Sequence, residues 1–129
     1  MKEKALENFK NGYSCSESIV KAAIDEGLCD ENLFACATPF SGGMGSGCLC
    51  GAISGAQMVI GYLYGKNNKF NNPLQAREKA KLLVEKFKEK HNATCCRVLS
   101  KDFDFHSPDR RKHCENMVET VVSILEELK

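Results

Sequence analysis

A chain of 129 residues with 43% hydrophobic residues, eight cysteines and a formal net charge of +1 has room for one compact domain. A chain of this size buries roughly two-thirds of the surface it exposes when unfolded, so it needs no disulfide staples and the cysteines call for another explanation. The balance of 18 basic against 17 acidic residues gives no net field to draw nucleic acid or an anionic membrane. The charged start, Met1 to Lys10, lacks the apolar run of a secretory signal. The expected setting is therefore the reducing cytoplasm, where thiols serve as metal ligands or redox groups more often than as staples.

Residues 2–11 carry Ala5, Leu6 and Phe9 at helical spacing, and Asn11-Gly12 stops that helix. Ser14 stands three residues before Glu17 in a capping-box arrangement. It opens a helix from Cys15 to Glu26, with Cys15, Ile19, Ala22 and Ala23 on one face and Gly27 at its end. Asp30 is placed to cap a short helix through Leu33, Phe34 and Ala37. Thr38 to Gly47 reads as a loop whose four glycines reach backbone angles that cost other residues energy.

Cys48 to Tyr64 is apolar on nearly all sides, at the short end of what spans a bilayer, and predicts a buried helix ended by Gly65 and Asn67-Asn68. Asn72-Pro73 then starts an amphipathic helix through His91, with Leu74, Leu82, Leu83, Val84 and Phe87 inward. The basic residues between Arg77 and Lys90 are interleaved with acidic ones and read as a solvated face. A turn at Cys96-Arg97-Val98-Leu99 follows. Ser107-Pro108 opens the last helix, which buries Cys114, Met117, Val118, Val121, Val122 and Leu125. The sum is an all-α bundle of five or six helices around a central Gly/Ala-rich apolar helix, with no strand.

The cysteines fall at 15, 29, 36, 48, 50, 95, 96 and 114, and no two make the CxxC spacing of zinc ribbons or thioredoxin-like sites. Their placement says more. Cys15 follows the Ser14 cap, and Cys48 and Cys50 lie in the predicted first turn of the central helix, where unpaired amides favour the thiolate. Arg110 and Arg111 lie within a helical turn of Cys114 and act in the same sense. The plainer alternative is packing, since free cysteine behaves as a small apolar group. Gly47, Gly51 and Gly55 form a stripe of nearly bare backbone, at about 1 kcal/mol each relative to alanine. Such a stripe suits either a close helix neighbour or a prosthetic group. His91, His106 and His113 are scattered, and no nucleotide loop, Ser-His pair or calcium loop is present.

Cys50-Gly51-Ala52-Ile53-Ser54-Gly55 matches a CGAxxG motif, and with it the chain resembles the family of redox-active proteins named for the pattern C_GCAxxG_C_C. The contexts Gly12-Tyr13-Ser14-Cys15, Cys96-Arg97-Val98-Leu99 and Gly42-Gly43-Met44, with Cys114 on the last helix, also fit it. The resemblance implies a quartet of Cys15, Cys50, Cys96 and Cys114, with Cys95 or Cys48 as substitutes and Cys29 and Cys36 incidental. If the quartet converges at the start of the central helix, four thiolates in a helical core require a cation, protonation or oxidation. Three readings follow: an iron–sulfur cluster for electron transfer, to which similarity with the cluster-binding part of split-Soret cytochromes also points; thiol–disulfide exchange with Cys15 or Cys50 attacking; or a structural zinc or docking module. The resemblance also implies a redox partner and a membrane-transport partner.

Overall fold

The computed structural model describes residues 1–67 and 72–129. Within them lie seven α-helices: α1 (Lys2–Lys10), α2 (Cys15–Asp25), α3 (Leu33–Ala37), α4 (Gly51–Tyr64), α5 (Leu74–His91), α6 (Cys96–Leu99) and α7 (Pro108–Leu128). No strand forms among the described residues, and one antiparallel bridge pairs Leu49 with Cys95. The all-α reading holds. The count exceeds the expected five or six because Cys96–Leu99, expected as a turn, closes a short helix. No helix among the described residues is long and apolar enough to cross a membrane.

Most helix ends follow the local chemistry read from the sequence. Ser14 Oγ accepts the Glu17 amide at 3.2 Å while Glu17 Oε1 accepts the Ser14 amide at 2.9 Å, completing the capping box. Ser107 Oγ likewise accepts the Arg110 amide at 3.1 Å, with Pro108 in the first turn of α7. Two starts differ. Asn32, not Asp30, is the N-cap of α3, because the Asp30 carboxylate turns back to accept the Asn32 amide at 2.8 Å. Pro73 is the N-cap of α5 rather than its first residue, with Asn72 Oδ1 accepting the Leu74 amide at 2.9 Å.

The helix expected from Cys48 begins at Gly51. The Cys50 amide donates to Thr94 O at 2.7 Å and the Cys96 amide to Cys48 O at 2.5 Å, so residues 48–50 are held extended against 94–96 before α4 can start. Gly65 caps the other end; Asn68, expected beside it, lies outside the described residues. The expected loop before α4 is tightly wound, with φ near +60° at Gly42, Gly43, Met44 and Gly45.

One continuous core joins Phe9 of α1, Ile19 and Val20 of α2, Ile53, Val59 and Ile60 of α4, Leu83 and Phe87 of α5, and Val118, Val121, Val122 and Leu125 of α7. Each large side chain so buried contributes about 1.5–3 kcal/mol. Leu74 and Leu82, expected inward, are 55% and 42% exposed, because α5 turns the Leu83–Phe87 line to the core and puts these two beyond it.

The most extensive helix contact is between α2 and α4, and glycine makes it possible. A Cβ on Gly55 would sit 2.7 Å from Ser16 O, whereas one on Gly61 of the same helix would meet nothing within 4 Å. Gly55→Ala is therefore expected to destabilise the fold by about 1–3 kcal/mol through overpacking. Gly61→Ala should stabilise it by about 0.5–1 kcal/mol through reduced chain entropy. Urea denaturation midpoints of the two variants should move in opposite directions from wild type.

Candidate functional site

Cys15 is the first residue of α2, fixed there by the capping box. Glu17 also accepts the Thr38 hydroxyl at 2.7 Å, tying this helix start to the wound segment that follows α3. Cys50 is the N-cap of α4, and Cys96 is the first residue of α6. The two backbone hydrogen bonds of the 48–50 and 94–96 pairing bring Cys50 and Cys96 close from distant parts of the chain. Cys114 projects from α7. All four line one cavity of about 340 Å³, with Phe9, Leu99, Phe105 and Met117 among its apolar walls. All eight cysteines are free thiols.

Glycines set how closely these segments approach. A Cβ on Gly51 would collide with Cys15 Sγ and lie 2.8 Å from Phe40 O, so the glycine after Cys50 is what admits the Cys15 sulfur. A Cβ on Gly43 would lie 2.6 Å from the Cys48 amide nitrogen and 2.8 Å from Cys96 Cβ. Of the expected stripe, Gly51 lines the cavity, Gly55 faces the α2 backbone, and Gly47 lies outside α4 beneath Arg97, whose Nη2 donates to Ser46 O at 3.0 Å.

Burial decides the protonation of the sulfurs. Cys50 is 6% exposed. Desolvation, reinforced by the neighbouring Cys15 and Cys96, pushes its thiol up to about 12 against the opposing amides of Ala52 and Ile53. Cys15 is raised by burial of its inward-facing sulfur, with the Gly42, Ser16 and Cys15 amides acting the other way. Cys114 is raised by burial too, with Arg110 opposing. This corrects the expectation of ready-made thiolates at the helix starts. A helix terminus offers a charge about 0.3–1 kcal/mol, whereas removing one from water costs several.

The arginines make further contacts beyond Cys114. Arg110 Nη2 donates to Cys96 Sγ at 3.3 Å, and its guanidinium lies 4.5 Å from the centroid of Phe105. Arg111 donates to the carbonyls of Phe9 and Tyr13 and anchors α7 to the α1–α2 corner. Both still draw the Cys114 thiol towards its anion, as the sequence spacing implied, whereas the Cys96 bond, made across the fold, leaves no mark in that spacing. His113 lines the cavity, yet its Nε2 is paired with Leu99 O at 2.9 Å and its ring stacks on Phe103. His106 lines it too, and His91 lies elsewhere, paired with Thr120 Oγ1 at 2.9 Å.

Of the remaining cysteines, Cys48 and Cys95 are exposed at the backbone clip and do not line the cavity, Cys36 is exposed, and Cys29 is half-buried at the edge of the core. The adjacent pair Cys95-Cys96 is resolved by the backbone, which turns Cys96 inward. Sequence reasoning missed Phe105, which carries no motif, and marked Gly42 only within the Gly42-Gly43-Met44 context, with no role for its amide. The donor set is all sulfur, with backbone amides acting on two of the four. No three of His, Cys, Asp or Glu among the described residues converge as ligands of a single ion.

At neutral pH a thiol-alkylating reagent should label Cys36, Cys48 and Cys95 first and leave Cys50 unlabelled until denaturation, as peptide mass spectrometry would show. Because the folded Cys50 pKa of about 12 exceeds the ordinary 9.0, its contribution to stability is complete below pH 9. It is lost as pH rises from there towards 12. Urea midpoints of the metal-free protein should therefore fall in that range, and fall less steeply for Cys50→Ala.

A family model described as "Putative redox-active protein (C_GCAxxG_C_C)" matches residues 13–128. No curated protein and no solved structure matches the chain.

Proposed function

The chain belongs to the C_GCAxxG_C_C family, and on that premise we propose that it transfers electrons through an iron–sulfur cluster held by Cys15, Cys50, Cys96 and Cys114. The observation that carries this reading is four cysteines lining one cavity, with backbone amides of Cys15, Ser16, Gly42, Ala52 and Ile53 acting on the sulfurs of Cys15 and Cys50. When bound, a cluster supplies reversible one-electron transfer at a potential set by such amides, by nearby charge and by exposure.

The protein groups have distinct parts. The four sulfurs come from α2, the start of α4, α6 and α7, so binding would tie those elements together. Phe9, Leu99 and Met117 limit water at the sulfurs, strengthening the local electrostatics. The same burial that holds Cys15, Cys50 and Cys114 protonated when alone makes four uncompensated thiolates prohibitive, and cationic iron relieves that cost. Zinc suits the site less well, since a single ion needs its ligands to close on one point. A cluster spreads its ligands over different irons.

Thiol–disulfide exchange is the second reading. Attack requires thiolate, which burial opposes at Cys15 and Cys50. In that reading the attacking group is Cys96, which accepts a hydrogen bond from the Arg110 cation at 3.3 Å.

Protein purified without oxygen is expected to absorb in the visible and to contain iron and acid-labile sulfide in equal amounts. Cys50→Ser should lose most of both. Colourless, metal-free protein that reduces a small disulfide, and ceases to on Cys96→Ser, would replace this reading with exchange. One zinc per chain without redox activity would replace it with a structural or docking role.

A further inference from the structure

Arg110 and Arg111 are neighbours on α7 that line the same cavity but are used differently. Arg111 spends its donors on the Phe9 and Tyr13 carbonyls and lies 4.0 Å from the centroid of Phe9, an anchoring role. Arg110 sends Nη2 to Cys96 Sγ at 3.3 Å and Nη1 to the Phe105 carbonyl at 3.5 Å, with the Phe105 ring 4.5 Å away. Its backbone is fixed as well, because Ser107 Oγ accepts the Arg110 amide at 3.1 Å and donates to Asp104 O at 2.9 Å.

Phe105 is 63% exposed, more than any other large apolar side chain in the described residues, yet it lines the cavity. An exposed phenylalanine gains little from burial. Its ring and carbonyl both hold the guanidinium, which restricts the orientation in which Nη2 meets the Cys96 sulfur.

We propose that Arg110, clamped by Phe105, is a positioning residue that sets the reduction potential of the site by fixing one positive charge against the Cys96 sulfur. The inference rests on the cluster reading above. Reduction adds one electron to the site, supplied in a titration by dithionite, with no bond made or broken. The added negative charge is attracted by the guanidinium, so Arg110 favours the reduced form and raises the potential. Arginine keeps its charge across the working pH range, and a half-buried charge in contact with the sulfur is screened weakly by salt.

The test is a redox titration, followed spectroscopically, of the anaerobically purified holoprotein and of its R110Q, R110K and F105A variants, with iron counted in each. R110Q is expected to hold the same iron at a lower midpoint potential than wild type. R110K should fall between the two, because it keeps the charge and loses the planar fork. F105A should shift the midpoint in the same direction by less, and the R110Q/F105A double variant should go no lower than R110Q, as expected when both act through one charge. A merely structural arginine would alter stability or iron content without this pattern.

An R110Q holoprotein with an unchanged or higher midpoint overturns the inference while leaving the cluster reading intact. If R110Q does not load iron, unchanged midpoints in both R110K and F105A overturn it instead. Wild-type protein without iron overturns the cluster reading, and this inference with it.

Discussion

Desolvation of the cysteine sulfurs governs what this site can do. A thiol as buried as Cys50 does not ionise near neutral pH, and the helix start beside it is too weak a source of positive potential to change that. The same holds for Cys15 and Cys114. Burial thus disfavours the anionic form at three of the sulfurs that line the cavity. It therefore disfavours a ready-made nucleophile at Cys15, Cys50 and Cys114.

Bringing those sulfurs together depends on backbone more than on side-chain packing. The segments of chain carrying Cys50 and Cys96 are joined by two backbone hydrogen bonds, Cys50 N–H to Thr94 O and Cys96 N–H to Cys48 O, around the Leu49–Cys95 pair. The wound segment Gly42 to Gly45 closes over that pair, with Gly43 against both Cys48 and Cys96. Met44 is not a glycine yet adopts φ 60° there, in a region that costs ordinary residues about 1 kcal/mol or more. Gly51 then makes room for the Cys15 sulfur at the start of α4. The CGAxxG motif consequently has a steric meaning: its first glycine admits a sulfur from another helix, and its second lets the α2 backbone lie against α4.

The core and the site have different requirements. Ile19, Ile53, Leu83, Phe87 and Val118 are interchangeable in principle with other apolar residues of similar volume, because burial is nondirectional. The Arg110–Phe105–Cys96 arrangement and the amides at Cys15 and Cys50 are directional, and a small displacement removes them. Membership of a redox-active family fits this division, with a conventional helical scaffold carrying a small and geometrically exacting cavity at one end of α4.

The sequence by itself determined the all-α class, most helix limits, the Ser14–Glu17 capping box and the buried face of α7, because these follow from neighbours three or four residues apart. It also singled out Cys15, Cys50, Cys96 and Cys114, through the motif resemblance rather than through spacing. Tertiary structure decided the rest. It moved the start of α4 from Cys48 to Gly51 by pairing with residues 94–96, and it chose Cys96 over Cys95 as the inward sulfur. It brought Arg110, which also acts on its neighbour Cys114, to the distant Cys96 sulfur, and it exposed Leu74 and Leu82. It also reversed the expected charge state of Cys15 and Cys50, since desolvation is set by everything packed around a sulfur, whereas a helix-start effect is local. Contacts between residues close in the chain are written in its sequence pattern, while burial and cross-chain hydrogen bonds exist only once distant segments have met.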